Sequence, residues 1–347
     1  MAKIGQITLL KFEINSALDL SSSPSIILLW AAWLDYLIGD PWGWLHPVQV
    51  MGWVIQNYTD LTVKVCPPGW QRRLAGVGLG LGLIVGSGLI SWLIIWLGKT
   101  VHPILGLTVQ IVLLASCLAG KSLRLAVQDV LVPINAHNLI EARSRLSLYV
   151  GRDTNNLSQP EILRALLETV AENAVDGVTA PLFYAIAGSF TPLGAVPVAL
   201  AYKAASTLDS MVGYLREPYT DIGWFSAQLE DRLTWLPCRL TVLTLCLVSL
   251  RPLEIWEICR RDGIKDPSPN SGWSEAAYAG VLKVQLGGEN TYQGVVREKP
   301  LLGNPIEQIS QAKINDALTL TRYIFLSWLA IAIAIDYLVV CQNCFDT

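Results

Sequence analysis

Uncharged apolar runs alternate along this chain with stretches that hold nearly all of its charge. Residues 74–98 carry no charged side chain, which predicts a helix able to cross a hydrocarbon core of about 30 Å with its roughly 20 apolar residues. Residues 103–120 are uncharged but shorter, residues 323–340 are apolar apart from Asp336, and residues 24–38 are interrupted late by Asp35. These four runs predict spans. Two further segments, 178–202 and 236–250, are poorer. The first contains Pro181, Gly188, Pro192, Gly194 and Pro197, and the second is short and holds Arg239. Broken backbone at membrane depth is tolerated only where protein or water covers it, so both are read as re-entrant or interfacial. The expected fold class is all-α: a polytopic integral membrane protein of four to six apolar segments. Residues 1–347 would form one membrane-embedded domain, with 121–177 and 251–322 as its main cytoplasmic loops.

Composition agrees. The 347 residues are 52% hydrophobic and 15% charged, with a mean hydropathy of +0.43, too apolar for an ordinary soluble domain. Thirteen tryptophans suit a protein with many membrane interfaces. Residues 1–11 lack the pattern of a cleaved signal peptide, so the spans themselves are expected to direct insertion. Of the 25 Lys and Arg, 18 fall in residues 40–73, 121–177 and 251–322. The positive-inside rule places those loops in the cytoplasm and the chain in the cell membrane. A net charge of −3 argues against a nucleic-acid partner. Seven scattered cysteines make no disulfide framework and are read as reduced. Glycines 76 to 88 include GxxxG spacings that let another helix approach closely.

The chemistry-bearing residues sit between the apolar runs. Residues 159–176 predict a helix capped by Ser158, with Glu161 completing a capping box. Glu168, Glu172 and Asp176, four apart, share one of its faces. Stacked carboxylates of this kind suit Mg²⁺, which takes one or two of them with waters and phosphate oxygens. Arg152 and Asp153 lie in the turn before it, where an arginine can grip phosphate or carboxylate. Lys203, Thr207 and Ser210 recur at helical spacing beside Asp209. Asp35 lies within an apolar helix and Asp40 at its end, and His46 stands in a rigid turn before Pro47. Residues 261–275 and 287–292 combine turn glycines with polar side chains that suit phosphate binding. Residues beyond Arg251 are read as loops and short helices. No Walker-type motif occurs.

In combination, Gly39-Asp-Pro with His46-Pro-Val, Val150-Gly-Arg-Asp-Thr, Glu172-Asn-Ala-Val-Asp-Gly-Val-Thr-Ala-Pro-Leu, the stretch from Tyr202-Lys-Ala to Tyr214, Pro267-Ser-Pro-Asn-Ser-Gly-Trp and Leu286-Gly-Gly-Glu-Asn-Thr-Tyr resemble the CobD/CbiB family of cobalamin biosynthesis. Six motifs in order over about residues 31–300 make this resemblance specific. It departs from the family pattern at Ser206, Ala174 and Trp53, where Asn, Thr and a basic residue are usual. The resemblance implies adenosylcobinamide-phosphate synthase activity. That is an ATP- and Mg²⁺-dependent ligase joining aminopropanol, or its phosphate, to the free propionate of adenosylcobyric acid. In that reading Glu168, Glu172, Asp176 and Asp209 hold the metal. Lys203, Asp153 and His46 are catalytic, while Arg152, Asn173, Ser210, Asp40, Ser268, Asn270, Asn290 and Tyr292 bind substrate or phosphate. The corrinoid, the phosphorylated amino alcohol, membrane lipid and other corrinoid-pathway enzymes are the expected partners. A sensor on the same scaffold, as in the distantly similar AmpE-type proteins, and a transporter are the alternative readings.

Overall fold

The structure, a computed structural model, describes residues 23–39 and 46–345, apart from the side chains of 340 and 343–345. It is mainly helical, and the chain divides into two compact units where the sequence pattern implies one domain. Unit 1 comprises residues 1–118, 181–223 and 327–347; unit 2 comprises 119–180 and 224–326. The two long polar loops expected from the sequence therefore fold together as most of unit 2.

Unit 1 contains helices α1 (Pro24–Leu37), α2 (Pro47–Val65), α3 (Trp70–Val101) and α4 (Pro103–Ala115). Helix α3 is long and apolar enough to cross a membrane, and its Val85, Leu89, Leu93 and Trp96 face outward. Two further stretches meet the same test, Gln311–Val339 and Pro103–Asn135, the latter turning at residues 116–119. Among the described residues three stretches thus qualify, against four to six expected, and α1 falls short at 14 residues. The expected segment 178–202 is broken. Helix α8 (Ala180–Ser189) ends before Pro192, and α9 (Ala195–Val212) begins after Gly194, whose φ is +87°. Ile55, Leu79, Leu208 and Val212 form a core where α2, α3 and α9 meet. Close approach to α3 needs glycine at position 76, where a Cβ would overlap the Ile222 carbonyl of the short helix α10 (Tyr219–Ile222). At Gly82 and Gly86 a Cβ meets nothing, so packing accounts for only part of the glycine run.

Unit 2 holds α5 (Gly120–Asn135), α6 (Leu139–Leu146), α7 (Gln159–Asn173), α11 (Trp224–Val248), α12 (Pro252–Asp262) and α13 (Ser271–Leu282). Residues 236–250 lie in α11 and its end, not in a separate dipping segment. Helix α13 is nearly all buried because Ala276, Ala277, Ala279 and Gly280 let neighbours close in. A Cβ on Gly280 would come within 3.1 Å of Ile255 and Ile258 on α12. Residues 311–326 of the last helix, α14 (Gln311–Phe345), belong here, with the Thr321 and Tyr278 hydroxyls hydrogen bonded at 2.7 Å.

The all-α expectation is corrected by a hairpin. Strands β1 (Gln285–Tyr292) and β2 (Val295–Gly303) pair antiparallel, Tyr292 opposite Val295. Gln293 and Gly294 both have positive φ, +52° and +78°, as a two-residue hairpin turn matched to strand twist requires. Gly287, with φ of +85° and no room for a Cβ, stands opposite a bulge on β2 where Pro300 and Leu301 face it together. Proline lacks an N–H and is found in sheets at such bulges and edges.

Candidate active site

Helix α7 begins as its sequence predicts. Glu161 accepts from the Ser158 N–H at 2.7 Å and its hydroxyl at 2.6 Å, and these bonds hold the Glu161 carboxyl below its usual range. Its apolar face, including Ile162, Leu166, Leu167 and Val170, is fully buried, which draws Glu168 inside with it. At its end the backbone widens into a π-helical turn, Ala174–Thr179, so the predicted helix over 159–176 is regular only to Asn173. Such turns are rare and gather at functional sites. The Ala119 N–H donates to the Gly177 carbonyl at 2.9 Å, steadying the turn.

Glu168 is the hub. Its Oε2 takes the Arg152 guanidinium and its Oε1 accepts the Gly287 N–H at 2.9 Å. Only 9% of the Arg152 side chain and 3% of that of Glu168 are exposed. Arg152 also donates to Asn290 Oδ1 at 2.8 Å. Arg164, one turn before Glu168, donates to the Gly287 carbonyl and, at 2.7 Å, to the Glu289 carbonyl. Both arginines thereby hold β1 against α7. Asp153 fixes the far end, accepting the N–H groups of Gln293 at 3.1 Å and Gly294 at 2.8 Å. With both carboxylate oxygens on the turn, Asp153 is a clamp on the hairpin.

A second ion pair lies across the hairpin. Lys299 on β2 donates to both oxygens of Glu275 on α13, at 2.7 and 2.9 Å, and stands 3.7 Å from Asp266. Burial pushes the Glu275 carboxyl upward; Lys299 pulls it down, and Glu168 and Glu172 add to the rise. Burial works against the Lys299 ammonium, but Glu275, Asp266 and Glu168 outweigh it and hold the proton on. Glu172, next along α7, keeps an accessible side chain. The protein crowded around it raises its carboxyl pKa, with Lys299 opposing and Asp266 and Glu168 reinforcing.

Among the described residues, the buried atoms Asn270 Oδ1 and Asn290 Nδ2 have no hydrogen bond, and Asp266 Oδ2 has only the Lys299 ammonium at 3.7 Å. Most buried polar side chains are satisfied, so Asn270 and Asn290 keep hydrogen-bonding capacity that a polar ligand can use. Ser268 Oγ accepts the Asn270 and Ser271 N–H groups at 3.3 and 3.2 Å at the start of α13, and Asn270 Nδ2 reaches the Asp231 carbonyl at 2.8 Å.

Unit 2 thus contains ten sequence-predicted residues: Arg152, Asp153, Glu168, Glu172, Asn173, Asp176, Ser268, Asn270, Asn290 and Tyr292. Asn173 turns back to the Thr169 carbonyl at 2.9 Å, and Tyr292 carries the Arg297 guanidinium over its ring. Lys203, Asp209, Ser210 and His46 belong to unit 1. There Ser210 donates to the Ser206 carbonyl at 2.8 Å, and His46 Nδ1 caps α2 by accepting the Val48 N–H at 3.3 Å. Asp40 lies outside the described residues. Of the four expected metal carboxylates, Asp209 belongs to unit 1, and Glu168 is engaged by Arg152 and the Gly287 N–H. Among the described residues no three His, Cys, Asp or Glu side chains form a metal-holding group. Arg164, Asp266, Glu275 and Lys299 have no assigned role in the sequence reading. Lys299 was invisible because only the unforeseen hairpin brings it to Glu275.

The family described as CobD/Cbib protein matches residues 28–321. The cobalamin biosynthesis protein CobD of Synechocystis sp. is 55% identical over 311 residues, covering 89% of this chain and 91% of that protein. CobD of Halalkalibacterium halodurans is 43% identical, covering 85% and 91%. CbiB of Salmonella typhimurium is 40% identical over 319 residues, covering 90% and 96%. No solved structure matches the chain. With its motifs, the matched span and relatives of nearly equal length in accord, the chain belongs to the CobD/CbiB family.

Proposed function

We propose that this protein acts in cobalamin biosynthesis as an amide ligase. It joins aminopropanol, or its O-phosphate, to the free propionate of adenosylcobyric acid at the expense of ATP. The observation that carries this reading is the charge network of unit 2, where Glu168, Glu172, Asp266 and Glu275 face Arg152, Arg164 and Lys299 beside the unsatisfied amide atoms of Asn270 and Asn290. A carboxylate and an amine do not condense until the carboxylate is activated. In the first step a propionate oxygen attacks the γ-phosphorus of ATP; the Pγ–O bond to ADP breaks and an acyl phosphate forms. In the second the amine attacks the acyl carbon, the C–N bond forms, the C–O bond to phosphate breaks, and phosphate leaves.

The donor set fits Mg²⁺ brought in on the nucleotide, which needs only one or two protein carboxylates, and Glu172 with Asp266 would hold it. When bound, Mg²⁺ would offset charge on phosphoryl oxygens. Arg152, its orientation fixed by Glu168 and Asn290, aims fixed positive charge at the reacting groups without reorganisation. The attacking ammonium must first lose a proton. The long apolar stretches support a membrane location, and the excess of Lys and Arg on one set of loops supports a cytoplasmic site.

Purified full-length protein with adenosylcobyric acid, aminopropanol phosphate, ATP and Mg²⁺ is expected to yield the amide-coupled product by mass spectrometry. Folded protein that makes none refutes the ligase reading. If aminopropanol replaces its phosphate with equal efficiency, the phosphate group is not a recognition element.

A further inference from the structure

In unit 1, helix α3 starts at Trp70, and its uncharged stretch opens directly after Arg72 and Arg73. The edge of a hydrocarbon layer crossed by α3 therefore falls, at this end, near residues 70–74, where Trp70 and Leu74 are 69% and 59% exposed. Tryptophan rings and the stems of basic side chains settle at such a boundary. The loop between α9 and α10 is tied to the same level. Asp221 of α10 accepts the Gly69 N–H at 2.5 Å and the Arg73 guanidinium at 3.0 Å. Arg72 donates to the Cys66 and Val63 carbonyls at 3.0 and 3.2 Å and stands 3.5 Å from Glu217.

Within that loop Leu215 is 89% exposed, and Arg216 is exposed beside it. The Arg216 guanidinium lies 4.9 Å from the centre of the Tyr214 ring and 6.0 Å from that of Tyr219. Tyr214 is itself held, its hydroxyl donating to the Ser210 carbonyl at 2.8 Å. Ring faces attract a cation without using its N–H groups. Among the described residues no carboxylate and no other acceptor engages those groups. An arginine placed by aromatic rings with its planar fork unspent suits an oxyanion. A soluble anion would leave Leu215 in water, whereas a phospholipid offers a phosphate to the arginine and, deeper, an acyl layer to the leucine.

We propose that residues 214–216 anchor unit 1 in the membrane interface, with the Arg216 guanidinium binding the phosphate of a glycerophospholipid and Leu215 entering the acyl layer. The anchor uses none of the charge network of unit 2 and does not depend on the ligase reading.

Two measurements on the full chain test it. In phosphatidylglycerol vesicles, an environment-sensitive fluorescent amino acid incorporated at position 215 is expected to lose at least half its intensity when the acyl chains are brominated, and to resist aqueous iodide. In detergent, native mass spectrometry reads the head-group contact with dioleoyl phosphatidylglycerol, dioleoylglycerol and inorganic phosphate as probes. The phospholipid is expected to bind at least tenfold more tightly than the diacylglycerol, because only it reaches the guanidinium with a phosphate. Millimolar inorganic phosphate is expected not to displace it, and Arg216→Gln to lose one tightly bound phospholipid. Should Arg216→Gln fail to fold, Arg216→Lys, which keeps the charge but not the fork, is expected to weaken that adduct about fivefold. A probe at 215 quenched by iodide and untouched by bromine, equal affinity for the diacylglycerol, displacement by inorganic phosphate, or unchanged phospholipid binding by a folded Arg216 variant overturns the proposal.

Discussion

Glu275 on α13 receives both hydrogen bonds of the Lys299 ammonium, at 2.7 and 2.9 Å, with 1% of its side chain exposed. Breaking a buried ion pair by removing one partner costs about 3–5 kcal/mol, because the other charge is left uncompensated. Lys299→Met is therefore expected to lower the thermal unfolding midpoint in detergent markedly. The double variant Lys299→Met with Glu275→Leu is expected to recover most of that loss. A single variant as stable as the parent would show that Glu275 is already neutral.

Asp262 supplies the pH dependence. Burial raises its pKa, but Arg261, Lys265 and the Gly303 N–H together hold it below the usual carboxylate value. A depressed folded pKa gives stability that is present above the unfolded value of about 4 and lost as pH falls through the folded one. Asp262→Asn is expected to be less stable than the parent by about 2 kcal/mol at pH 6, in line with hydrogen bonds to a charged group. The gap is expected to close as pH falls through the lowered folded-state value, which unfolding curves measured over a series of acid pH values follow.

Glycine is required at particular places. Gly287→Ala puts a side chain on a φ of +85° and against the Pro300 carbonyl. It is expected to disrupt the bulge that presents the Gly287 N–H to Glu168, costing activity as well as stability. Gly76→Ala, blocked by Ile222, is expected to destabilise unit 1, whereas Gly82→Ala meets open space and is expected to stabilise the helix by up to about 1 kcal/mol. Comparing the melting points of the two α3 variants separates helix contact from helix propensity.

Arg152 carries the site's most enclosed positive charge. Arg152→Lys keeps the charge but loses the planar fork that reaches Glu168 and Asn290 together. It is expected to fold and to lose at least tenfold in turnover, measured as amide product per minute. Retained turnover would make Arg152 a purely structural partner of Glu168.

Much of this was legible in the sequence. The capping box of α7, the apolar run of α3 and the division between apolar and polar segments follow from local pattern, which needs no tertiary information. The hairpin was hidden because Gly287, Gly288, Asn290 and Pro300 read as turn formers. Their place in strands depends on a bulge and on Arg164 of α7 and Arg152 of the turn before it. For the same reason Lys299 and Arg164 drew no notice, while Asp153, read as a catalytic group, holds the hairpin turn. Helix α1 looked like a span from its composition, but its 14 residues fall short of that length.

Activation of the substrate carboxylate by ATP is the centre of the functional account, and the fate of the carboxylate oxygens tests it most directly. With the free propionate of adenosylcobyric acid labelled with ¹⁸O, mass spectrometry of the released phosphate is the measurement. The account predicts one ¹⁸O transferred to inorganic phosphate for each amide formed. Label appearing in AMP, or amide formed with no label in phosphate, would contradict it.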